Sequence, residues 1–199
     1  MELGRQIDIL EANREKVALF VAVQWLRTLD RREIIGALGN IDPADSMERA
    51  RRHTDVMWDL GVIDKIRDRM KNSVWIFGRN ETAEPFITSD NPVAFKTPDN
   101  RQWTRGGILA PGVYAVYPLS PEIMMYCHDP VGKWSVVSKF HNCLSPVQFT
   151  EELVDSDNCG QVFMASRFVF SSTNKFDSAK DFADAIATNR YGPSAGNGK

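Results

Sequence analysis

Residues 113–128 read V-Y-A-V-Y-P-L-S-P-E-I-M-M-Y-C-H, and the fold class turns on this stretch. Two β-rich runs, Val113 to Pro118 and Ile123 to His128, flank Leu119-Ser120-Pro121-Glu122. Runs of this kind on either side of a short turn-forming segment predict an antiparallel hairpin. Pro118 and Pro121 weaken pairing at its ends, because proline donates no ladder hydrogen bond. Working outward, further short runs bounded by proline, glycine and asparagine predict strands at Val74 to Phe77, Pro85 to Thr88 and Arg167 to Ser171. Lys139 to Ala165 reads as mostly helical, with Ser145-Pro146 as cap and first residue, and Ser178 to Thr188 as a short last helix.

Upstream of Asn72 the periodicity is helical. Ile7, Leu10, Val17, Val21 and Trp25 recur at three-, four- or seven-residue spacing, which predicts one long helix ending near Arg27 to Asp30. A second helix is predicted from Asp42-Pro43, an acidic cap followed by a first-turn proline. Its stripe is Met47, Ala50, Met57, Leu60, Ile63, Ile66 and Met70, with Gly61 as a kink or break. Helices first and then a sheet with helices returning predict an α+β class: long N-terminal helices packed on a small, mostly antiparallel sheet, with one or two C-terminal helices. The organisation expected is one domain over residues 1–190, with a helical part at 1–72, a sheet and helix part at 73–172, and a flexible tail at 191–199.

The chain has 199 residues, 43% apolar and 25% charged, which excludes a disordered or collagen-like protein. A domain of this size buries roughly 70% of its unfolded surface and needs no disulfide or metal to fold. The net charge of -2 argues against a nucleic-acid partner. No apolar run approaches the ~18 residues of a membrane span, and the charged start MELGRQIDILEANREK lacks the apolar centre of a secretory signal. Three cysteines are too few for a disulfide framework, so a reduced, cytoplasmic protein is expected.

Four constellations bear on chemistry. Phe86 to Val93 (FITSDNPV) ends a strand in Ser89, Asp90 and Asn91 before Pro92. This is either an Asx turn bonding its own backbone or a hydroxyl, a carboxylate and an amide presented together at the end of a sheet. Cys127, His128, His141 and Cys143 have the side chains of a zinc site but not its spacing, since neighbours on a strand face opposite ways. No metal and no cofactor are expected there. Asp155 and Asp157 lack the loop of a calcium site and read as a solvated helix face. Arginines cluster at 27, 31 and 32 and at 49, 51 and 52. Residues 1–72 carry 13 basic and 13 acidic side chains, so the clusters read as exposed ion pairs rather than an anion footprint.

FITSDNPV followed by Tyr117 to Tyr126 (YPLSPEIMMY) resembles the uncharacterised domain-of-unknown-function family DUF4238. Upstream, Gln24, Arg27, Thr28 and Arg31 are similar to a Q-x-x-R-T-x-x-R pattern on a helix of that family. Downstream, Asn158 and Ala165-Ser166-Arg167-Phe168-Val169 resemble its closing segment. The resemblance spans residues 5–172 and implies a soluble, mainly microbial α+β protein; it brings no activity with it. Members typically begin with a His-Tyr-Val-Pro segment that has no counterpart in this chain.

Helical spacing puts residues 24, 27, 28 and 31 on one face. The resulting candidate ligand site is Gln24, Arg27, Arg31, Ser89, Asp90 and Asn91, with Arg27 or Arg31 buried against Asp90 or the carbonyls of its turn. An anionic or nucleotide-like small molecule is its expected ligand, held by bidentate arginine contacts. Catalytic residues are unassigned. One alternative is a non-enzymatic homo-oligomerising module that uses Phe20, Val23 and Trp25 as an exposed apolar face. The other is a nuclease-like enzyme cleaving phosphodiesters.

Overall fold

In the computed structural model, residues 4–186 are described. In chain order the elements are α1 (Glu11–Leu26), α2 (Leu29–Leu38), α3 (Ser46–Met57), α4 (Leu60–Lys71), β1 (Val74–Arg79), β2 (Thr88–Ser89), β3 (Ala94–Lys96), β4 (Trp103–Thr104), β5 (Tyr114–Ser120), β6 (Ile123–His128), a 3-10 helix (Gly132–Phe140), β7 (Cys143–Leu144), α5 (Glu151–Met164), β8 (Val169–Phe170) and α6 (Asp177–Ile186). The class is α+β, as the pattern of runs predicts. The expected tail at 191–199 and the last residues of the final helix lie outside the described residues.

The N-terminal helices are shorter and more numerous than their periodicity suggests. Residues 5–10 are extended, not helical. Gln6 bridges Cys143, Ile7 N–H donates to the Asn142 carbonyl (2.6 Å), and Leu144 N–H donates to the Arg5 carbonyl (2.8 Å). Ile7 and Ile9, two residues apart as on a strand, pack on the core, whereas Leu10 is 65% exposed. The chain breaks at Thr28, whose extended backbone and side-chain oxygen cap α2 through the Arg31 N–H. Asp45, not Asp42, caps α3. The second predicted helix divides at Asp59, which accepts from the N–H groups of Gly61 and Val62 and starts α4. Of its stripe, Ile63, Ile66 and Met70 are buried, while Met47 and Leu60 are exposed.

The main sheet runs β4-β3-β5-β6-β1-β7, antiparallel throughout except for β1 with β7. β2 and β8 form a separate two-stranded sheet. The β5–β6 hairpin is tighter than predicted. Its strands extend to Ser120 and Ile123, leaving Pro121-Glu122 as the loop, and the register slips between Pro118 and Ser120, where Pro118 has no N–H to give. Of the predicted strand at Pro85 to Thr88, only Thr88 is extended in a ladder. The predicted helix from Lys139 is also divided. Cys143-Leu144 pairs with β1, and α5 begins only after Thr150, whose hydroxyl accepts from Leu153 N–H.

Cross-strand partners share a face. One face carries Phe95, Ala115, Cys127 and Trp75 in a single row. It packs against α1 and α4: Trp25 meets Phe95 edge-on with ring centroids 5.0 Å apart, and the Arg14 guanidinium lies 4.0 Å over Trp75. Gly107, at φ +82°, lets the loop cross Trp25, because a Cβ there would come within 2.4 Å of the indole. The opposite face is roofed by α5 over β3 and by the 3-10 helix over β1. Among the described residues no helix is long and apolar enough to cross a membrane.

Candidate functional site

The six residues singled out in the sequence fall into three separate places. Ser89, Asp90 and Asn91 stay together, docked on the end of α5. Asp90 accepts from the N–H groups of Ser166 (2.8 Å) and Arg167 (2.9 Å), and Asn91 Nδ2 donates to the Met164 carbonyl (3.2 Å). Ser89 Oγ donates to Gln161 and accepts from Asn91 N–H. Asn158 and Gln161 complete the link by bonding the backbone of Pro85, Ile87 and Pro92. The turn is structural, but apart from the Asn91 N–H to Ser89 Oγ bond the partners of its side chains lie at the end of α5 and just after it. Two segments that resemble the family, the S-D-N-P string and the stretch from Asn158 to Val169, therefore hold each other.

Arg27 is exposed, and among the described residues its side chain has one hydrogen bond, from Nε to Gln24 Oε1 (2.8 Å). It sits just beyond α1, off the buried stripe of Ala18, Val21, Ala22, Trp25 and Leu26. The buried arginine is Arg31, 7% exposed, and its partner is not Asp90. Its Nη2 donates to the Arg105 carbonyl (2.8 Å) and to Asp30 Oδ2 (3.2 Å), while Arg105 grips the other Asp30 oxygen and donates to the Phe163 carbonyl (2.7 Å). Asp30, 1% exposed, is the acidic partner the sequence reading missed. Among the described residues no hydrogen bond or ion pair joins Gln24, Arg27 or Arg31 to the turn. The other arginine clusters form ion pairs, Arg51 with Glu48 and Arg67 with Asp64 and Asp68.

Cys127 and His128 do face opposite ways. Burial pushes the Cys127 thiol up to about 12 on the helix-packed face. His141 Nδ1 accepts from Trp75 N–H, and Cys143 bonds Gln6 and the His141 carbonyl. Among the described residues no three His, Cys, Asp or Glu side chains gather as a metal would require.

A different site emerges on the roofed face. Lys96 pairs with Tyr114 across β3 and β5, and Tyr114 stands beside His128, so one row of three strands presents an amine, a phenol and an imidazole. Tyr126 occupies the next row, opposite Ile76 and Val116. These groups line a cavity of about 450 Å³, closed by Trp134 and Phe140 of the 3-10 helix, by Phe149, and by Ser156 and Asp157 of α5. Val147 and Leu153, both exposed, stand at its rim. Gly78 makes room below, since a Cβ there would meet Phe149 at 2.5 Å and Tyr126 at 2.9 Å.

The polar groups of this cavity are in unusual states. Tyr126 donates its hydroxyl to Asp157 Oδ2. Lys96 Nζ stands 3.8 Å from Asp157 Oδ1 and 4.7 Å from the Trp103 ring centroid. Tyr114 donates to Asn100 Oδ1 (2.6 Å). Burial lifts the Asp157 carboxyl above its ordinary value, against the pull of Tyr126 and Lys96, and lifts the Tyr126 hydroxyl well above its own. His128 lies 4.4 Å from Tyr114 and 4.7 Å from Trp134, centroid to centroid, and burial pushes it down to about 4. Its Nδ1 is buried with no hydrogen-bond partner among the described residues. A volume of this size, aromatic walls and a few convergent polar groups with displaced titration are the physical marks of a small-molecule site.

Sequence reading weighed His128 only as a poor metal ligand and took Asp157 for part of a solvated helix face, whereas Asp157 is buried against the sheet; it gave no chemical role to Lys96, Tyr114 or Tyr126. Together these residues come from four separate elements, and only strand register brings them into one place.

Neither the curated proteins nor the solved structures contain a match to this chain. A family profile described as "Protein of unknown function (DUF4238)" does match, over residues 37–175. The matched segment holds the S-D-N-P turn and every cavity residue named above, and leaves Gln24, Arg27 and Arg31 outside. It covers more than two thirds of the chain, which therefore belongs to the DUF4238 family.

Proposed function

We propose that this protein binds a small planar organic molecule in the cavity between the sheet and α5. The observation that carries this reading is His128: 8% exposed, held between Tyr114 and Trp134, with its Nδ1 buried and without a hydrogen-bond partner among the described residues. A buried polar group left unmet costs about 1–3 kcal/mol, so a ligand that meets it gains that amount. Flat aromatic walls favour a flat ligand, stacked or edge-on. The reading keeps a nucleotide-like ligand at the level of its ring and moves the place of binding from the S-D-N-P turn to the cavity. One cation and one anion line the cavity, so it has no net attraction for an anion. The nuclease-like alternative gains little from the turn, whose Ser89, Asp90 and Asn91 side chains bond α5, the residues after it and the turn's own backbone.

Titration of the full chain with indole, benzimidazole, adenine and uracil, read by tryptophan fluorescence and by NMR shifts of the cavity aromatics, tests the reading. At least one ring should bind saturably and be weakened by Trp134→Ala. Absence of binding across the whole set would overturn it.

A second reading is self-association. Leu19, Phe20 and Val23 are exposed on α1, with Phe20 edge-on to Tyr117 at 6.4 Å. Trp25, expected in that patch, is instead buried at 6% exposure. Sedimentation of the parent and of Phe20→Glu distinguishes a dimer through this patch from a monomer.

A further inference from the structure

We propose that the ligand of this cavity is an oxo-heterocycle presenting a lactam edge, a ring N–H beside a ring C=O, to Asp157 and Lys96; uracil and hypoxanthine exemplify the class. This rests on the cavity being a site for planar molecules. Lys96 and Asp157 are the evidence for the edge. Their side chains are 10% and 11% exposed, yet Nζ and Oδ1 stand 3.8 Å apart, too far for a hydrogen bond. The second Asp157 oxygen is occupied by Tyr126, and the Lys96 ammonium lies over the face of Trp103 and makes no hydrogen bond among the described residues. A donor and an acceptor thus sit side by side in a buried wall, each with unused capacity.

Ligand classes differ in how they meet this pair. A carboxylate or phosphate satisfies Lys96 and repels Asp157. An amine does the reverse. A hydrocarbon ring leaves both unmet, which is costly at such burial. A lactam edge satisfies both in one plane: its N–H donates to Asp157 Oδ1 and its carbonyl oxygen accepts from Lys96 Nζ, each a charge-assisted bond. The remaining ring then lies among Tyr114, His128 and Trp134. A volume of about 450 Å³ holds a base or nucleoside and excludes an oligonucleotide.

Calorimetric titration of the full chain with two matched pairs tests this without a variant: uracil against 1,3-dimethyluracil, and hypoxanthine against purine. Each second member keeps the flat ring: 1,3-dimethyluracil keeps the carbonyls and has no N–H, and purine has neither the carbonyl nor the N–H of that edge. The parent of at least one pair should bind about ten- to a hundredfold more tightly than its partner, the scale of one buried hydrogen bond. Lys96→Met, which removes the donor to the ring carbonyl, should lower the affinity for uracil and hypoxanthine about tenfold, while the preference of uracil over 1,3-dimethyluracil, which rests on Asp157, persists. Equal affinities within both pairs, or tighter binding of benzoate than of uracil, would overturn the lactam inference and leave a general planar site standing. If no ring of any kind binds, the cavity reading itself falls.

Discussion

Asp30→Ala is the most informative single perturbation of the fold. Asp30 opens α2, is 1% exposed, and is gripped by Arg105 on one oxygen and by Arg31 on the other at 3.2 Å. Both arginines continue the link: Arg31 bonds the Arg105 carbonyl, and Arg105 bonds the Phe163 carbonyl in the last turn of α5. The triad therefore ties the N-terminal helices to the helix that roofs the cavity. Burial already pulls the Arg31 guanidinium below its ordinary value, with Asp30 opposing. Removing the carboxylate leaves two guanidinium groups in a poorly solvated place without their counter-charge. Stranding one side of such a pair costs about 3–5 kcal/mol. At ~2–4 °C per kcal/mol for a chain of this size, melting should drop by about 6–20 °C. Guanidinium denaturation at pH 7 gives the free energy directly, and Asp30→Asn, which keeps the acceptor but not the charge, should fall between parent and alanine. Arg27→Ala is the counterpart: with an exposed side chain bonded only to Gln24, it should stay within about 0.5 kcal/mol of the parent. A loss below ~1 kcal/mol for Asp30→Ala would refute the buried triad.

Asp90→Ala removes the acceptor of two backbone N–H groups after α5, and should cost about 1–2 kcal/mol, the scale of a lost helix cap; an unchanged urea midpoint would show those groups solvated instead. For pH, burial pushes His128 from 6.5 down to about 4. Between those values the unfolded chain binds a proton that the native ring refuses, so stability is intact at pH 7 and falls on acidification through this window, by up to about 3 kcal/mol. His141, lowered by burial and by Arg14, adds to the same slope. Asp157, raised from 3.8, works the other way above that value, because the native carboxyl keeps a proton the unfolded one has lost. His128→Phe should lose less stability than the parent between pH 7 and pH 4.5 by denaturant midpoint; equal losses would mean that His128 is not a buried neutral imidazole.

The sequence carries the class of this fold through local signals. Alternating runs bounded by turn residues mark β1, β5 and β6 within a few residues, and the apolar stripe through Val21 and Trp25 marks α1. The errors arise where a long-range contact or a side-chain cap overrides a local period. Ile7 and Leu10 fit a helix by spacing, yet backbone bonding to β7 draws residues 5–10 into an extended path. α2 went unread because its helix is set by the Thr28 cap and the Asp30 triad rather than by a strong apolar stripe. The placement of Arg27 failed for a related reason. Two arginines four residues apart look equivalent in sequence, but the cap at Thr28 changes the direction of the chain between them. Arg31 is thereby turned inward onto Trp25, its guanidinium 4.8 Å from the ring centroid.

The cavity owes its existence to another such override. The sequence suggests mostly helix over Lys139 to Ala165, with Ser145-Pro146 as cap and first residue. Instead Cys143-Leu144 pairs in parallel with β1, drawing the chain to the edge of the sheet between two helical pieces. The 3-10 helix covers the β1 side and α5 covers the β3 side. Between the two pieces lie the central strands, whose outward row is Lys96, Tyr114 and His128. Had this gap served packing alone, aliphatic side chains would fill it at lower cost than an imidazole with an unmet nitrogen and an ion pair held at 3.8 Å. The unmet imidazole nitrogen and the loosely held ion pair line one cavity, where a single planar ligand would meet both, and the proposed site rests on that coincidence.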